Sequence, residues 1–137
     1  MSIKPLIIIA AFIGLTACQS SGVNQAQDIE LQGSWNIEVI NDKPVIDYSP
    51  AQLIFDANGK LSGNNSCNNF FGTYSINGDK LELTSAGNTM KACIDALMDQ
   101  EQRFIAAMPE VAQANMSNGK LILKDTKGNT QFILSKI

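Results

Sequence analysis

Three Asn-Gly pairs, Asn58-Gly59, Asn77-Gly78 and Asn118-Gly119, each stand between short alternating or apolar runs. Such a pair suits a two-residue hairpin, because a type I′ turn needs positive φ at both central positions. The flanking runs read as strands: Ser34 to Ile40, with Trp35, Ile37 and Val39 on one face, then Gln52 to Phe55, Lys60-Leu61 and Phe70 to Ile76. Lys80 to Thr84, Val111 to Met116, Lys120 to Lys124 and Thr130 to Leu134 continue the series. The turns have no constant period, so they predict a meander and not a repeat array. One segment breaks the pattern. From Asp95 to Met108 the residues Leu97, Met98, Phe104, Ile105 and Met108 share one arc at helical spacing, with Asp95 as N-cap and Pro109 as the stop. The fold class is therefore α+β: roughly seven strands in an antiparallel β-rich meander, as a curved sheet or partly open barrel, with one amphipathic helix packed on it.

Composition narrows the chemistry. The 137 residues contain no His, which removes the usual general base near neutral pH, the His member of Ser or Cys triads and the commonest zinc ligand. Lys and Arg number 10 against 13 Asp and Glu, an acidic balance that argues against nucleic acid as a partner. No catalytic set, metal site or cofactor site is predicted. Asp56 to Gly59 begins like a calcium loop, but Cys67 stands where the bidentate Glu belongs, so the segment reads as a hairpin turn. Trp35, Phe55, Phe70, Phe71, Tyr74 and Phe104 are expected in the core.

Residues 1–17 read as an address. Lys4 precedes the apolar run Leu6 to Leu15, too short to span a bilayer and of secretory length. Leu15-Thr16-Ala17-Cys18 resembles a bacterial lipobox, which implies cleavage before Cys18 and lipidation of that residue. Several acyl chains make such an anchor effectively permanent. Gln19 is not the Asp of an inner-membrane retention signal, so the resemblance implies the outer membrane, periplasmic side. Residues 18–28 read as a lipidated flexible tether, and 29–137 as the working domain. Cleavage removes Lys4 alone among charged residues, leaving 9 positive and 13 negative, a net of -4.

The block Gly63-Asn-Asn-Ser-Cys67-Asn68-Asn-Phe70-Phe-Gly72-Thr-Tyr74 resembles the G-x-x-x-Cys-Asn-x-aromatic-x-G-x-Tyr block of the META domain, the family of HslJ-like heat-inducible lipoproteins. Thr89 to Cys93 resembles its T-x-x-x-Cys block, and Glu101 with Phe104 matches the helix beyond. The likeness runs from Gly33 to about Lys136. It implies a small β-rich domain with one helix, among envelope proteins associated with stress and drug tolerance, and it carries no transferable catalytic activity.

With Cys18 consumed by lipid, Cys67 and Cys93 are the pair left in an oxidising compartment and are expected to form a disulfide. The loop it closes, about 27 residues, is worth roughly 3 to 4 kcal/mol in the chain-entropy model. Asn64, Asn65, Asn68 and Asn69 around Cys67 predict an ordered tight crossing, with Gly63 and Gly72 allowing close approach or a bulge; an amide-rich ligand cradle is the alternative. Glu101 falls at the centre of the expected buried helix face, while Asp95, Asp99, Gln102 and Arg103 are expected to point outward. A carboxylate there must be paired, hydrogen-bonded or protonated. It either accepts backbone N–H groups from the Asn-rich crossing and locks helix to sheet, or lines an internal cavity and holds a ligand's polar group; Asn68 and Asn69 share both readings.

The leading functional reading is a non-enzymatic, lipid-anchored, periplasm-facing protein that binds a small apolar compound or an envelope protein. A pilotin-like lipid or partner chaperone needs an apolar cleft beside the helix. An inhibitor of a cell-wall hydrolase needs an exposed, rigid loop.

Overall fold

The computed structural model describes residues 28–137; the signal segment, Cys18 and all but the last residue of the tether lie outside the described residues. Among the described residues nine strands form one antiparallel sheet: β1 (Gly33–Ile40), β2 (Lys43–Pro44), β3 (Ala51–Phe55), β4 (Lys60–Asn64), β5 (Asn69–Asn77), β6 (Lys80–Asn88), β7 (Gln113–Ser117), β8 (Lys120–Lys124) and β9 (Thr130–Lys136). Helix α1 (Asp95–Ala107) and a 3-10 turn (Met108–Glu110) are inserted between β6 and β7. The meander closes on itself because β1 pairs with β3 along one edge and with β9 along the other. The ring is not a regular barrel. β6 and β7 meet at the single pair Lys80 and Gln113, and the helical insertion packs into the gap where they diverge.

The turns form for the expected reason, with different details. Asn118-Gly119 is the predicted two-residue turn, with φ of 49° and 76°. In the β5–β6 hairpin Asn77 pairs with Lys80, so Gly78 and Asp79 are the central residues and Gly78 alone has positive φ. Asn58-Gly59 ends a four-residue loop between Phe55 and Lys60. A further tight turn, Asn41-Asp42, has φ of 46° and 62° and joins β1 to the two-residue β2. Between β8 and β9, Asp125 accepts hydrogen bonds from the Asn129 side chain and from the backbone N–H of Asn129 and Lys127. These bonds, led by the Asn129 side chain, hold the Asp125 carboxyl below its ordinary range. The turn is therefore fully braced above the ordinary Asp pKa and loosens as pH falls through the lowered value.

Strict alternation fails at three β-bulges. Opposite β9 the register shifts between Ile37 and Val39, so Ile40 is fully buried and Val39, expected inside, is only half-buried. A second shift, at Phe71 and Gly72, leaves Ala86 of β6 without a partner, and a third lies between Leu123 and Lys124. Bulges bend a strand and raise its twist, which a ring this small requires. Phe71 is exposed, contrary to the expectation that it joins the core: next to inward Phe70 it points out, and its ring covers Gly87 across the strand pair.

The helix occupies the predicted segment with a rotated face. Gln100, Glu101, Phe104, Ala107 and Met108 are buried, Leu97 and Met98 are half-buried, and Ile105, expected inside, is 47% exposed. Phe104 is the axis of that face, lying 5.1 Å from Phe70 and 5.5 Å from Phe132 between ring centroids. Asp95 is not the N-cap; extended Ile94 is, and Asp95 opens the helix where its charge suits the positive end of the helix dipole. Pro109 lies within the 3-10 turn that continues the helix. Arg103 is largely covered instead of pointing outward, and pairs with Asp99 at 2.6 Å.

Gly63 and Gly72 serve the close approaches expected of them. A Cβ on Gly63 would stand 1.9 Å from the Gln52 carbonyl oxygen, and one on Gly72 equally close to that of Thr84. Gly63→Ala should therefore cost about 3 kcal/mol or more, because backbone must move. Gly119→Ala, where φ is positive but the added methyl meets nothing, should cost about 1 to 2 kcal/mol. Urea unfolding of both variants measures the difference, and equal losses would contradict the β3–β4 register.

Candidate functional site: the Asn-rich crossing and the cleft beside the helix

Residues 64–69 carry the chain from β4 into β5 through backbone that side-chain amides hold in place. Asn64 Oδ1 accepts from the Ser66 N–H at 2.8 Å, and Ser66 takes φ of 93°, a conformation its own side chain does not favour. Asn65 Oδ1 accepts from the Asn68 N–H at 2.7 Å, while the Asn65 N–H donates to the Asn68 carbonyl at 2.9 Å. This is the ordered crossing the Asn content predicts.

Glu101 reaches this crossing from α1. Its Oε1 accepts from Asn65 Nδ2 at 3.0 Å and from Asn68 Nδ2 at 2.9 Å, with all three residues buried. Asn68 passes the connection on, since its Oδ1 accepts from the Lys91 N–H at 2.7 Å and from Thr89 Oγ1 at 2.9 Å. The predicted disulfide is present between Cys67 and Cys93, with Cα atoms 5.9 Å apart, and joins the crossing to the same β6–α1 connection. Helix, crossing and connection thus share one carboxylate, two amides and one covalent bond.

Glu101 reaches the crossing, but through the side-chain amides of Asn65 and Asn68 and not the backbone N–H groups expected, and Asn69 does not join them. It is exposed, bonding Asn64 through its side chain and Thr89 through its backbone N–H. Asn65, the second donor to Glu101, was legible only as one Asn among four. Gln100 was missed. Its amide is fully buried, accepts from the Ile46 N–H at 2.8 Å and ties the helix to the segment between β2 and β3. An amide beside Glu101 on an otherwise apolar arc was the available signal.

Beside this lock lies a cleft of about 510 Å³ between α1 and β6. Phe70, Leu83, Phe104, Ile105 and Met108 supply apolar wall, Asn65 lies at one end, and Glu82, Thr84, Ser85 and Asn88 make the β6 side polar. Glu101 stands behind Asn65, so its carboxylate acts on the cleft by fixing that amide. The volume is in the range of small-molecule pockets, and mostly apolar walls with a few fixed polar groups are what such pockets have in common. Among the described residues no three His, Cys, Asp or Glu side chains gather as a metal-ligand set.

Removing the carboxylate leaves two buried amides without their acceptor. Glu101→Ala should therefore cost about 3 kcal/mol or more. Asp99→Ala, which breaks a pair whose carboxylate is exposed although Arg103 is largely covered, should cost less than about 1 kcal/mol. Reducing the disulfide should cost about 3 to 4 kcal/mol. Urea midpoints of the two variants and of the reduced protein check all three, and equal effects at 99 and 101 would overturn the lock.

Solved structures share this architecture. A protein from Burkholderia xenovorans, determined by NMR, is 21% identical with a TM-score of 0.63, over 78% of this chain and 83% of that one. A DUF4847 family protein from Bacteroides vulgatus is 14% identical with a TM-score of 0.57, over 80% and 96%. A further NMR structure is 23% identical with a TM-score of 0.56, over 77% and 90%. At such identities the likeness concerns the fold alone. No curated protein shows significant similarity to the chain. The META domain family model matches residues 27–136, and with the Cys-Asn crossing, the disulfide and the helix glutamate in place the chain belongs to the META domain family.

Proposed function

We propose that this META-domain protein is a lipid-anchored, periplasm-facing binding protein without catalytic activity, which contributes to envelope stress or drug tolerance. It holds a small apolar molecule, or an apolar segment of an envelope protein, between α1 and β6. The cleft carries this reading, because a hollow with Ile105 and Met108 on its helix side and Glu82, Thr84, Ser85 and Asn88 along β6 suits an amphipathic ligand with an apolar body and a polar edge. Support for the anchor is the sequence from Lys4 to Cys18. No helix among the described residues is long and apolar enough to cross a membrane. A pilotin-like role uses the same cleft, with an acyl chain or a partner's segment as occupant.

Two experiments test the two halves. Cys18→Ala should abolish labelling with palmitate and move the protein from the membrane to the soluble fraction; an unchanged membrane fraction would refute the anchor. For the cleft, fluorescence titration with N-phenylnaphthylamine should give saturable binding that Ile105→Asp weakens about tenfold, equivalent to about 1.4 kcal/mol. Half-exposed Ile105 should tolerate the change without loss of stability. Equal binding by both forms, or none by either, would refute the assignment.

A further inference from the structure

We propose that the connection from Thr89 to Ile94 is a pre-braced inhibitory loop that occupies the substrate cleft of a serine endopeptidase with an apolar primary pocket, Met90 being the side chain that enters it. This activity is separate from the α1–β6 cleft. A single exposed apolar side chain is ordinary on a protein surface. What sets Met90 apart, at 94% exposed, is the stiffness of the backbone on both sides of it.

Three kinds of restraint act within five residues. Thr89 continues the β5–β6 ladder, its N–H donating to the Asn69 carbonyl at 2.9 Å. Asn68, itself buried, grips the positions either side of Met90: its Oδ1 accepts from Thr89 Oγ1 and from the Lys91 N–H, and its Nδ2 donates to the Lys91 carbonyl at 3.3 Å. Two residues further on, Cys93 is bonded covalently to Cys67. Between these restraints the chain runs without turn or bend from Thr89 to Ile94, and Thr89, Met90, Lys91 and Ala92 are all exposed. A segment without helix, turn or bend, with the Lys91 N–H and carbonyl both held by Asn68 from behind and side chains in solvent, has a form that an endopeptidase can take as a substrate. Its preorganisation removes the ordering cost that a flexible peptide pays on binding.

The same restraints explain why the loop inhibits instead of being consumed. In the peptidase the serine Oγ attacks the Met90 carbonyl carbon, its proton passing to the histidine. As the bond to the Lys91 nitrogen breaks, the histidine gives that proton to the departing amine. Hydrolysis requires this amine to leave so that water can take its place. Here Lys91 remains tied to Asn68, and the disulfide keeps the new chain end on the scaffold. The amine stays over the acyl-enzyme and the reverse reaction, forming the same C–N bond and returning the proton to the serine, outruns water. Glu101 contributes by holding the Asn68 amide, so the buried network determines the set of the exposed loop.

The test uses the purified full chain in non-ionic detergent, with chymotrypsin and a chromogenic peptide substrate. Competitive inhibition is expected, with the Met90–Lys91 bond cut far more slowly in the intact protein than after reduction of the disulfide. Met90→Asp should weaken inhibition about thirtyfold or more, as for a central contact residue. Met90→Phe, offering a fuller side chain to an apolar pocket, should preserve or strengthen it. Neither change touches packed structure, and unfolding midpoints should confirm that both variants fold. Absence of inhibition at about 100 μM, weaker than the μM limit of standard-size interfaces, would overturn the proposal. So would inhibition indifferent to Met90→Asp, or cleavage at 90–91 as fast as in the reduced chain.

Discussion

Glu101 takes a negative charge into the interior with two amide donors on one of its oxygens. Desolvating a carboxylate costs several kcal/mol, and hydrogen bonds that replace water recover much of it without making the arrangement more stable than a hydrophobic one. The gain is in specification. Asn65 and Asn68 lie three residues apart on a segment with no regular hydrogen-bonding of its own, and a charge-assisted acceptor fixes which way each amide turns. Once Asn68 Nδ2 is committed to Glu101, its Oδ1 faces the β6–α1 connection and accepts from Thr89 and Lys91. The orientation of one buried oxygen thereby propagates to the surface.

The disulfide and the carboxylate divide the work. Joining Cys67 to Cys93 limits how far crossing and connection separate, acting chiefly on the unfolded chain. It does not set orientation at the scale of a hydrogen bond, which the amides do. Each neighbouring amide then has its own output: Asn65 ends the apolar cleft, and Asn68 braces the loop under Met90. Two different surfaces depend on one interior charge.

Turn chemistry and periodicity made most of the fold legible, because both are local. Asn and Gly mark most hairpin positions that need positive φ, Asp42 being an exception, and the helical arc from Asp95 to Met108 contrasts plainly with strand alternation. Errors arose where a non-local constraint overrode a local pattern. Closing the ring needs bulges, and the bulge after Ile37 turns Val39 partly away and Ile40 inward. Burying one amide and one carboxylate on the helix turned its face toward Gln100 and Glu101, which leaves Ile105 at the edge of the cleft. Wheel analysis weights apolar side chains and cannot anticipate that a glutamine is buried by the N–H of Ile46. Within the site, Glu101 and Asn68 were legible because a charge on an apolar face demands partners; Asn65 and Asn69 could not be told apart by composition, since the crossing's path decides which of them faces inward.

An incomplete ring explains why the cleft lies where it does. β6 and β7 share one residue pair, and past Leu81, whose N–H donates to the Ala112 carbonyl, no strand among the described residues pairs with the outer edge of β6. The 3-10 turn packs against β6 and α1 stands off from it, and side chains cannot saturate a row of backbone groups as a strand does. Phe70, Leu83, Ile105 and Met108 therefore share the lining with Glu82, Thr84, Ser85 and Asn88 of β6, so the hollow has an apolar side and a polar side. A tenth strand in the gap would remove both the hollow and the unpaired edge. The helix leaves the edge accessible, and Glu101 keeps the helix from drifting across it.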